Sequence, residues 1–220
     1  MVRDGIYYGA GFAAAGVGMA WVQPWLALPL FALGAFCLYF FRDPEREIPA
    51  GPVAVSPADG KVVAVRPEGR SQRRVSIFLN IFDVHVNRTP IAGTITGVQY
   101  QKGRFLVASK EKASAENEQN TVEVAGDGTR VVFKQIAGLI ARRIVFNKKA
   151  GDRVAAGERV GLIKFGSRVD VVFGPEWEIL VQEGMRVAAG SSVLARRNDA
   201  QPQREASTEV SSLEPVACQG

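Results

Sequence analysis

One histidine, His85, and two cysteines, Cys37 and Cys218, are all the imidazole and thiol chemistry in this chain. Cys37 lies in an apolar segment and Cys218 in a polar tail, so neither a disulfide framework nor a zinc site is expected. With one histidine, a histidine-based metal cluster would need carboxylate ligands that no motif supplies, so no metal is expected. Charge is also missing in one place: Gly5 to Phe41 holds no Asp, Glu, Lys or Arg. Aromatic residues do not alternate with basic ones as they would on a base-stacking platform, and no nucleic-acid motif occurs. The formal charge of +5 then suits an anionic lipid surface better than nucleic acid.

The uncharged segment is interrupted at Gln23-Pro24. Each half is long enough for a helix of roughly 26 Å, just short of a bilayer's hydrocarbon core. The first half is rich in small residues, including Gly9, Gly11, Gly16 and Gly18, and small faces let helices approach closely in lipid. The second is bulkier and ends Phe36-Cys-Leu-Tyr-Phe-Phe41, with Trp21 and Trp25 flanking the break. A membrane hairpin or interfacial anchor, a cleaved signal peptide and a buried helical hairpin all suit such a segment. The weakly charged Met-Val-Arg-Asp start and the length of the apolar stretch favour the first. Residues 1–42 are therefore expected to form an apolar helical hairpin, with Arg3 and Arg42 bracketing it on the cytoplasmic side.

From Arg42 onward the composition changes. Arg42-Asp-Pro-Glu-Arg46 is a charged juncture with a helix-ending proline. Val62–Val65, Arg73–Leu79, Thr94–Tyr100, Thr121–Val124 and Arg130–Gln135 are short, β-branched and bounded by turn residues, as strands are. Ile140–Phe146 suits a strand or a short helix, and Lys110–Asn120 a mobile loop. Residues 198–220 have almost no large apolar side chains and read as a disordered tail. Residues 43–197 thus form a mainly β domain.

An echo sits inside that domain. Gly151-Asp-Arg-Val-Ala-Ala-Gly-Glu-Arg-Val160 recurs 33 residues later as Gly184-Met-Arg-Val-Ala-Ala-Gly-Ser-Ser-Val193. Paired half-motifs of this kind resemble the barrel-sandwich of biotinyl and lipoyl carrier domains. Between the copies, where a carrier would hold its modified lysine, stands Lys164-Phe-Gly-Ser-Arg168, without a Met-Lys-Met or Asp-Lys-Ala motif.

Gly166-Ser167 can be a plain turn, or it can be reactive. A serine hydroxyl forced onto the preceding carbonyl can cleave the backbone there. A nucleophile, its base and a group that orients the base define such a site whatever their chain order. Ser167, His85 and Asp59 are the candidates by residue type. Arg168 reads either as a lipid-phosphate contact or as an exposed strand residue. Asn117 and Glu118 read as part of a substrate-gating loop or of a solvated run, and Lys61 as an exposed strand residue.

Six words occur in order: Phe40-Phe-Arg-Asp-Pro-Glu-Arg46, Ser56-Pro-Ala-Asp-Gly-Lys-Val62, Phe82-Asp-Val-His-Val-Asn-Arg-Thr-Pro90, Lys102-Gly-Arg-Phe-Leu106, Asn117-Glu-Gln-Asn120 and Phe165-Gly-Ser-Arg-Val-Asp170. Together they resemble the short, pyruvoyl-dependent form of phosphatidylserine decarboxylase over about residues 35 to 196. The resemblance implies self-cleavage between Gly166 and Ser167, giving a β chain of 1–166 and an α chain of 167–220. It implies a covalent pyruvoyl cofactor made from Ser167, which forms a Schiff base with phosphatidylserine and releases CO2 and phosphatidylethanolamine. Ser167, His85 and Asp59 are then the catalytic residues, and Gly166 the residue before the cut. The implied setting is the cytoplasmic face of the cell membrane, with the phospholipid as substrate, the two fragments as mutual partners and a homodimer compatible with the apolar anchor. Longer bacterial members carry His-x-x-His in the corresponding segment, whereas this chain has His85 and, three residues on, Arg88.

Two other readings suit the residues less well. A non-enzymatic membrane adaptor with a carrier-like sandwich leaves Gly166-Ser167 without a purpose. A pyruvoyl decarboxylase of another amine-bearing substrate is disfavoured by the apolar N-terminus where that substrate is a soluble amino acid. The ether lipid archaetidylserine stays open, because a headgroup argument does not fix the lipid tails.

Overall fold

The computed structural model describes residues 2–103, 117–138, 143–164 and 166–198. Within them α1 (Arg3–Val22) and α2 (Pro24–Phe40) precede fourteen strands. These are β1 (Val53–Val55), β2 (Gly60–Glu68), β3 (Gln72–Leu79), β4 (Val86–Arg88), β5 (Gly93–Gln101), β6 (Gln119–Gly126) and β7 (Thr129–Ala137). They continue as β8 (Ile144–Phe146), β9 (Arg153–Val154), β10 (Arg159–Ile163), β11 (Ser167–Phe173), β12 (Trp177–Ile179), β13 (Arg186–Val187) and β14 (Val193–Arg197). The mainly β domain behind a helical hairpin is therefore present. All five expected strands form, and Ile144–Phe146, the end of the ambiguous stretch, is strand, while residues 140–142 lie outside the described residues. Cys218, nearly all of the expected tail and the expected loop before Asn117 lie outside the described residues.

The helix pair is built on its glycines. Gly5, Gly9 and Gly16 of α1 are buried, and side-chain carbons placed on them would strike Phe41, Leu38 and Phe31 respectively. Gly11 and Gly18 face open space, so three of these five glycines make the seam and two do not. Pro24 begins α2, where its missing N–H is no loss. The outer surface stays apolar: Trp21 is 88% exposed and Trp25 76%. No helix among the described residues is long and apolar enough to cross a membrane.

Eight strands form one antiparallel sheet in the order β13-β2-β3-β11-β7-β6-β5-β9. The order is a palindrome of two equivalent halves. The repeated Gly-x-x-Val segments supply its outermost strands, β9 and β13, paired to β5 and β2. A second, fainter echo completes the symmetry. Val53-Ala-Val-Ser-Pro-Ala-Asp-Gly60 and Val86-Asn-Arg-Thr-Pro-Ile-Ala-Gly93 share Val, Ser/Thr-Pro and Gly at the same spacing. The two segments bond reciprocally, Val55 N–H to Pro90 O and Arg88 N–H to Pro57 O, each at 2.9 Å. Gly60 and Gly93 are equivalent too: a side chain on either would overlap the carbonyl of Phe78 or Ala125 on the neighbouring strand. Asp59 in one half matches Ala92 in the other, so the repeat carries the acid once.

The core lies on one face of this curled sheet and includes Val75, Ile77, Phe133, Val169, Val171 and Phe173. Strand β11 is central and buried along its whole length. Its alternation puts Ser167, Val169, Val171 and Phe173 on the core face and Arg168 and Asp170 on the other.

The charged juncture stitches the hairpin to the domain. Asp43 bonds Arg88 and Arg159, Glu45 bonds Arg159, and Arg46 bonds Asp59. Arg88, three residues after His85, is buried and gives its guanidinium to Gly157 O, Asp43 and Pro44 O.

Candidate active site

Ser167 opens β11, with Leu79 and Ala137 as its cross-strand partners. The side chain is fully buried, and among the described residues its Oγ has no hydrogen-bond partner. A buried hydroxyl without a partner costs about 1–3 kcal/mol, so this one is held in reserve rather than used to hold the fold. Gly166, just before it, has φ +62°. Added carbon at Gly166 would meet nothing within 4 Å. The requirement for glycine here is conformational, because the left-handed region penalises any side chain.

His85 reaches this point from the short segment between β3 and β4. Its Nδ1 lies 2.9 Å from Asp83 O. A carbonyl only accepts, so Nδ1 carries the proton and Nε2 presents a lone pair. That lone pair accepts the Gly166 N–H at 3.3 Å. The ring is 2% exposed, and burial lowers its pKa to about 4, against smaller upward pulls from its bond to Asp83 O and the Asp83 carboxylate. A neutral imidazole, with its basic nitrogen turned toward Gly166-Ser167, is thus the resting state at neutral pH.

The segment around His85 is fixed on several sides. Asp83 accepts bonds from Asn80 N–H and Arg186. Two residues beyond His85, Asn87 Oδ1 accepts from Gln135 Nε2 at 2.9 Å, and Gln135 Oε1 accepts from Asn120 Nδ2 at 3.0 Å. This buried amide chain ties β4 to the main sheet.

Asp59 stands on other partners. Its Oδ2 faces Arg46 at 2.8 Å and its Oδ1 accepts the Ala189 N–H at 2.7 Å. Burial raises its pKa, with the Ala189 bond and Arg46 opposing that and the Asp83 carboxylate adding to it. The structure therefore brings His85, Gly166 and Ser167 together and leaves Asp59 in the adjoining charged layer beside Asp83. In this state the Asp83 carbonyl, a backbone group that no residue-type motif reveals, orients the imidazole.

Arg168 is neither exposed nor turned to solvent. It is 1% exposed, with Nε 2.6 Å from Asp170 Oδ1 and a terminal nitrogen 2.7 Å from Ser76 Oγ. A central strand covered on both faces must bury its charges as pairs, and Arg168-x-Asp170 was a readable signal of that. Asn117 is buried as well and donates Nδ2 to Ala137 O at 2.7 Å, while Glu118 O accepts the Ala137 N–H. Both brace the strand beside Ser167. Lys61 is exposed on β2, as expected. Among the described residues no acidic, thiol and imidazole groups cluster as a metal site would require.

A buried serine hydroxyl with no partner among the described residues thus follows a left-handed glycine whose amide meets a neutral imidazole. The family model described as phosphatidylserine decarboxylase matches residues 33–195. A phosphatidylserine decarboxylase proenzyme of Solibacter usitatus is 70% identical over 200 residues, covering 90% of this chain and 98% of the relative. Proenzymes of the same name from Oleidesulfovibrio alaskensis and Magnetococcus marinus are each 44% identical, covering 85% and 84% of this chain and 89% and 88% of theirs. The chain belongs to the phosphatidylserine decarboxylase family.

Proposed function

We propose that this chain is a proenzyme that cuts itself between Gly166 and Ser167 and then decarboxylates phosphatidylserine to phosphatidylethanolamine. Family membership supports the reaction. The observation that carries the self-cleavage is a buried Ser167 Oγ with no partner among the described residues, next to a Gly166 amide that already meets the lone pair of the imidazole.

In this reading Nε2 of His85 leaves the Gly166 N–H and takes the hydroxyl proton of Ser167. Oγ bonds to the Gly166 carbonyl carbon, and the Ser167 nitrogen departs with a proton as the amide becomes an ester. Loss of the Ser167 α-proton then breaks the Cβ–O bond and releases the Gly166 carboxylate. Water hydrolyses the remaining dehydroalanine, leaving ammonia and a ketone at the head of β11. His85 is the base for the first proton. Asp59, to orient the imidazole itself, would have to exchange Arg46 for the ring; until then the Asp83 carbonyl does so.

The residues present fit a pyruvoyl group at position 167, because the hydroxyl to be converted is committed to no other bond among the described residues. That group supplies the electron sink for loss of CO2 from the serine headgroup. The chain's own part is to keep a single proton carrier, His85, at that atom and to exclude water from it. The exposed aromatics of the hairpin, the net charge of +5 and the lipid nature of the substrate support seating at the cytoplasmic membrane surface, peripheral or hairpin-anchored.

The test is an assay of the purified full chain on vesicles of diacyl phosphatidylserine, on the ether-linked analogue and on free serine. Release of CO2 with formation of phosphatidylethanolamine from the diacyl lipid is expected, with little from free serine. Equal turnover of free serine would point to a soluble-substrate decarboxylase.

A further inference from the structure

The base of the helical hairpin touches the candidate site directly. Phe40, the last residue of α2, is 1% exposed, and its ring lies 4.3 Å from the His85 ring between centroids, tilted by 33°. Phe40 belongs to a small apolar cluster with Phe41 and Leu162, separate from the main core. The same end of the hairpin grips both segments that meet at the site. Tyr39 Oη at 3.3 Å and Arg42 at 2.6 Å donate to Phe82 O, three residues before His85. Lys164, two residues before Gly166, pairs with Asp4 of α1 at 2.6 Å.

Once Nε2 leaves the Gly166 N–H for the Ser167 hydroxyl, the imidazole is held by its Nδ1 edge alone and can turn about its own bond. The Asp83 carbonyl holds the Nδ1 edge of His85, and Phe40 closes the face. A phenyl face attracts a cation, yet the same ring excludes water, and the burial to which it contributes outweighs the rest in keeping His85 neutral. The charged groups acting on the imidazole are the Asp83 carboxylate from its own segment and the Arg42 guanidinium from the hairpin base. Asp83 is already engaged by Arg186, and Arg42 opposes a second positive charge.

We propose that the hairpin is part of the reaction site as well as an anchor, with Phe40 the positioning residue that sets the plane and the dryness of His85 for attack at Gly166-Ser167. The proposal rests on the self-cleavage reading above. It makes processing conditional on a docked hairpin, so a chain whose hairpin base is displaced stays a precursor.

The experiment follows self-cleavage of the newly synthesised full chain in the presence of phospholipid vesicles, from about pH 4.5 to 8, for the parent, Phe40→Ala and Phe40→Leu. The parent is expected to keep its rate down to about pH 5, because an imidazole of pKa about 4 is still about 90% neutral there. A fully hydrated imidazole is neutral in only about 3% of molecules at that pH. Phe40→Ala should therefore lose between about five- and thirtyfold in rate at pH 5 relative to pH 8, beyond any loss the parent shows. Phe40→Leu should show the same shift in smaller measure, and it carries the test if the alanine variant does not fold. Profiles parallel to the parent's, whatever their height, would reduce Phe40 to packing and overturn the proposal. A folded parent that stays uncut at every pH would overturn the self-cleavage reading, and this inference with it.

Discussion

Gly166 donates its amide hydrogen to Nε2 of His85 at 3.3 Å, so the chain's only imidazole already rests on the residue whose carbonyl is attacked in the proposed self-cleavage. The bond is long, and Nε2 has its proton-free face turned toward the segment. In the proposed reaction Nε2 exchanges this N–H for the neighbouring Ser167 hydroxyl.

The buried imidazole makes the precursor acid-sensitive. Its folded pKa, about 4, lies below the unfolded value near 6.5, so the unfolded chain binds the extra proton. The stability from His85 is complete above about pH 6.5 and is lost as pH falls toward 4, by roughly 3 kcal/mol in all. Urea unfolding of an uncut Ser167→Ala chain at about pH 7 and pH 4.5 should show this loss, and His85→Gln on that background should remove most of it. An unchanged pH dependence after His85→Gln would mean the ring is not buried as described.

Gly166 is needed for its backbone angle and not for its size. In the Ser167→Ala background, Gly166→Ala should lower stability by about 1–2 kcal/mol, and Gly166→Asn by less, since Asn tolerates the left-handed region. Gly166→Val should be the worst of the three. Equal stability for Val and Asn in thermal unfolding would remove the conformational argument.

Arg168 serves the fold. Arg168→Met takes one partner from the fully buried Asp170, which keeps Arg74 at 3.4 Å, and a loss of about 1.5–3 kcal/mol is expected. The readout is a drop in Tm. A variant of unchanged Tm with a raised KM for the lipid would instead make Arg168 a phosphate contact.

Much of this architecture was legible before any coordinates. The hairpin boundaries follow from a charge-free run broken at Gln23-Pro24, and α1 and α2 end and begin there. The 33-residue echo at Gly151 and Gly184 marks the two sheet edges. Its companion at Val53 and Val86 is too faint to read from sequence, because only Val, Ser/Thr-Pro and Gly persist, and all four are turn or strand residues found anywhere. Ser167, Gly166 and His85 were readable because their chemistry resides in residue types. The Asp83 carbonyl was not, since every residue has one. Nor was Phe40 on His85: a phenylalanine closing an apolar helix reads as anchor, and only the docked hairpin turns it toward the ring. Asp59 was readable as an acid, but its choice of Arg46 and Ala189 over His85 depends on the charged juncture folding back across the domain.

The central claim concerns one peptide bond, and intact mass measures it most directly. The full chain should yield fragments of 166 and 54 residues, the smaller with a blocked N-terminus lacking the serine nitrogen, while Ser167→Ala stays a single chain. A folded parent of undivided mass that still decarboxylates phosphatidylserine would contradict the account.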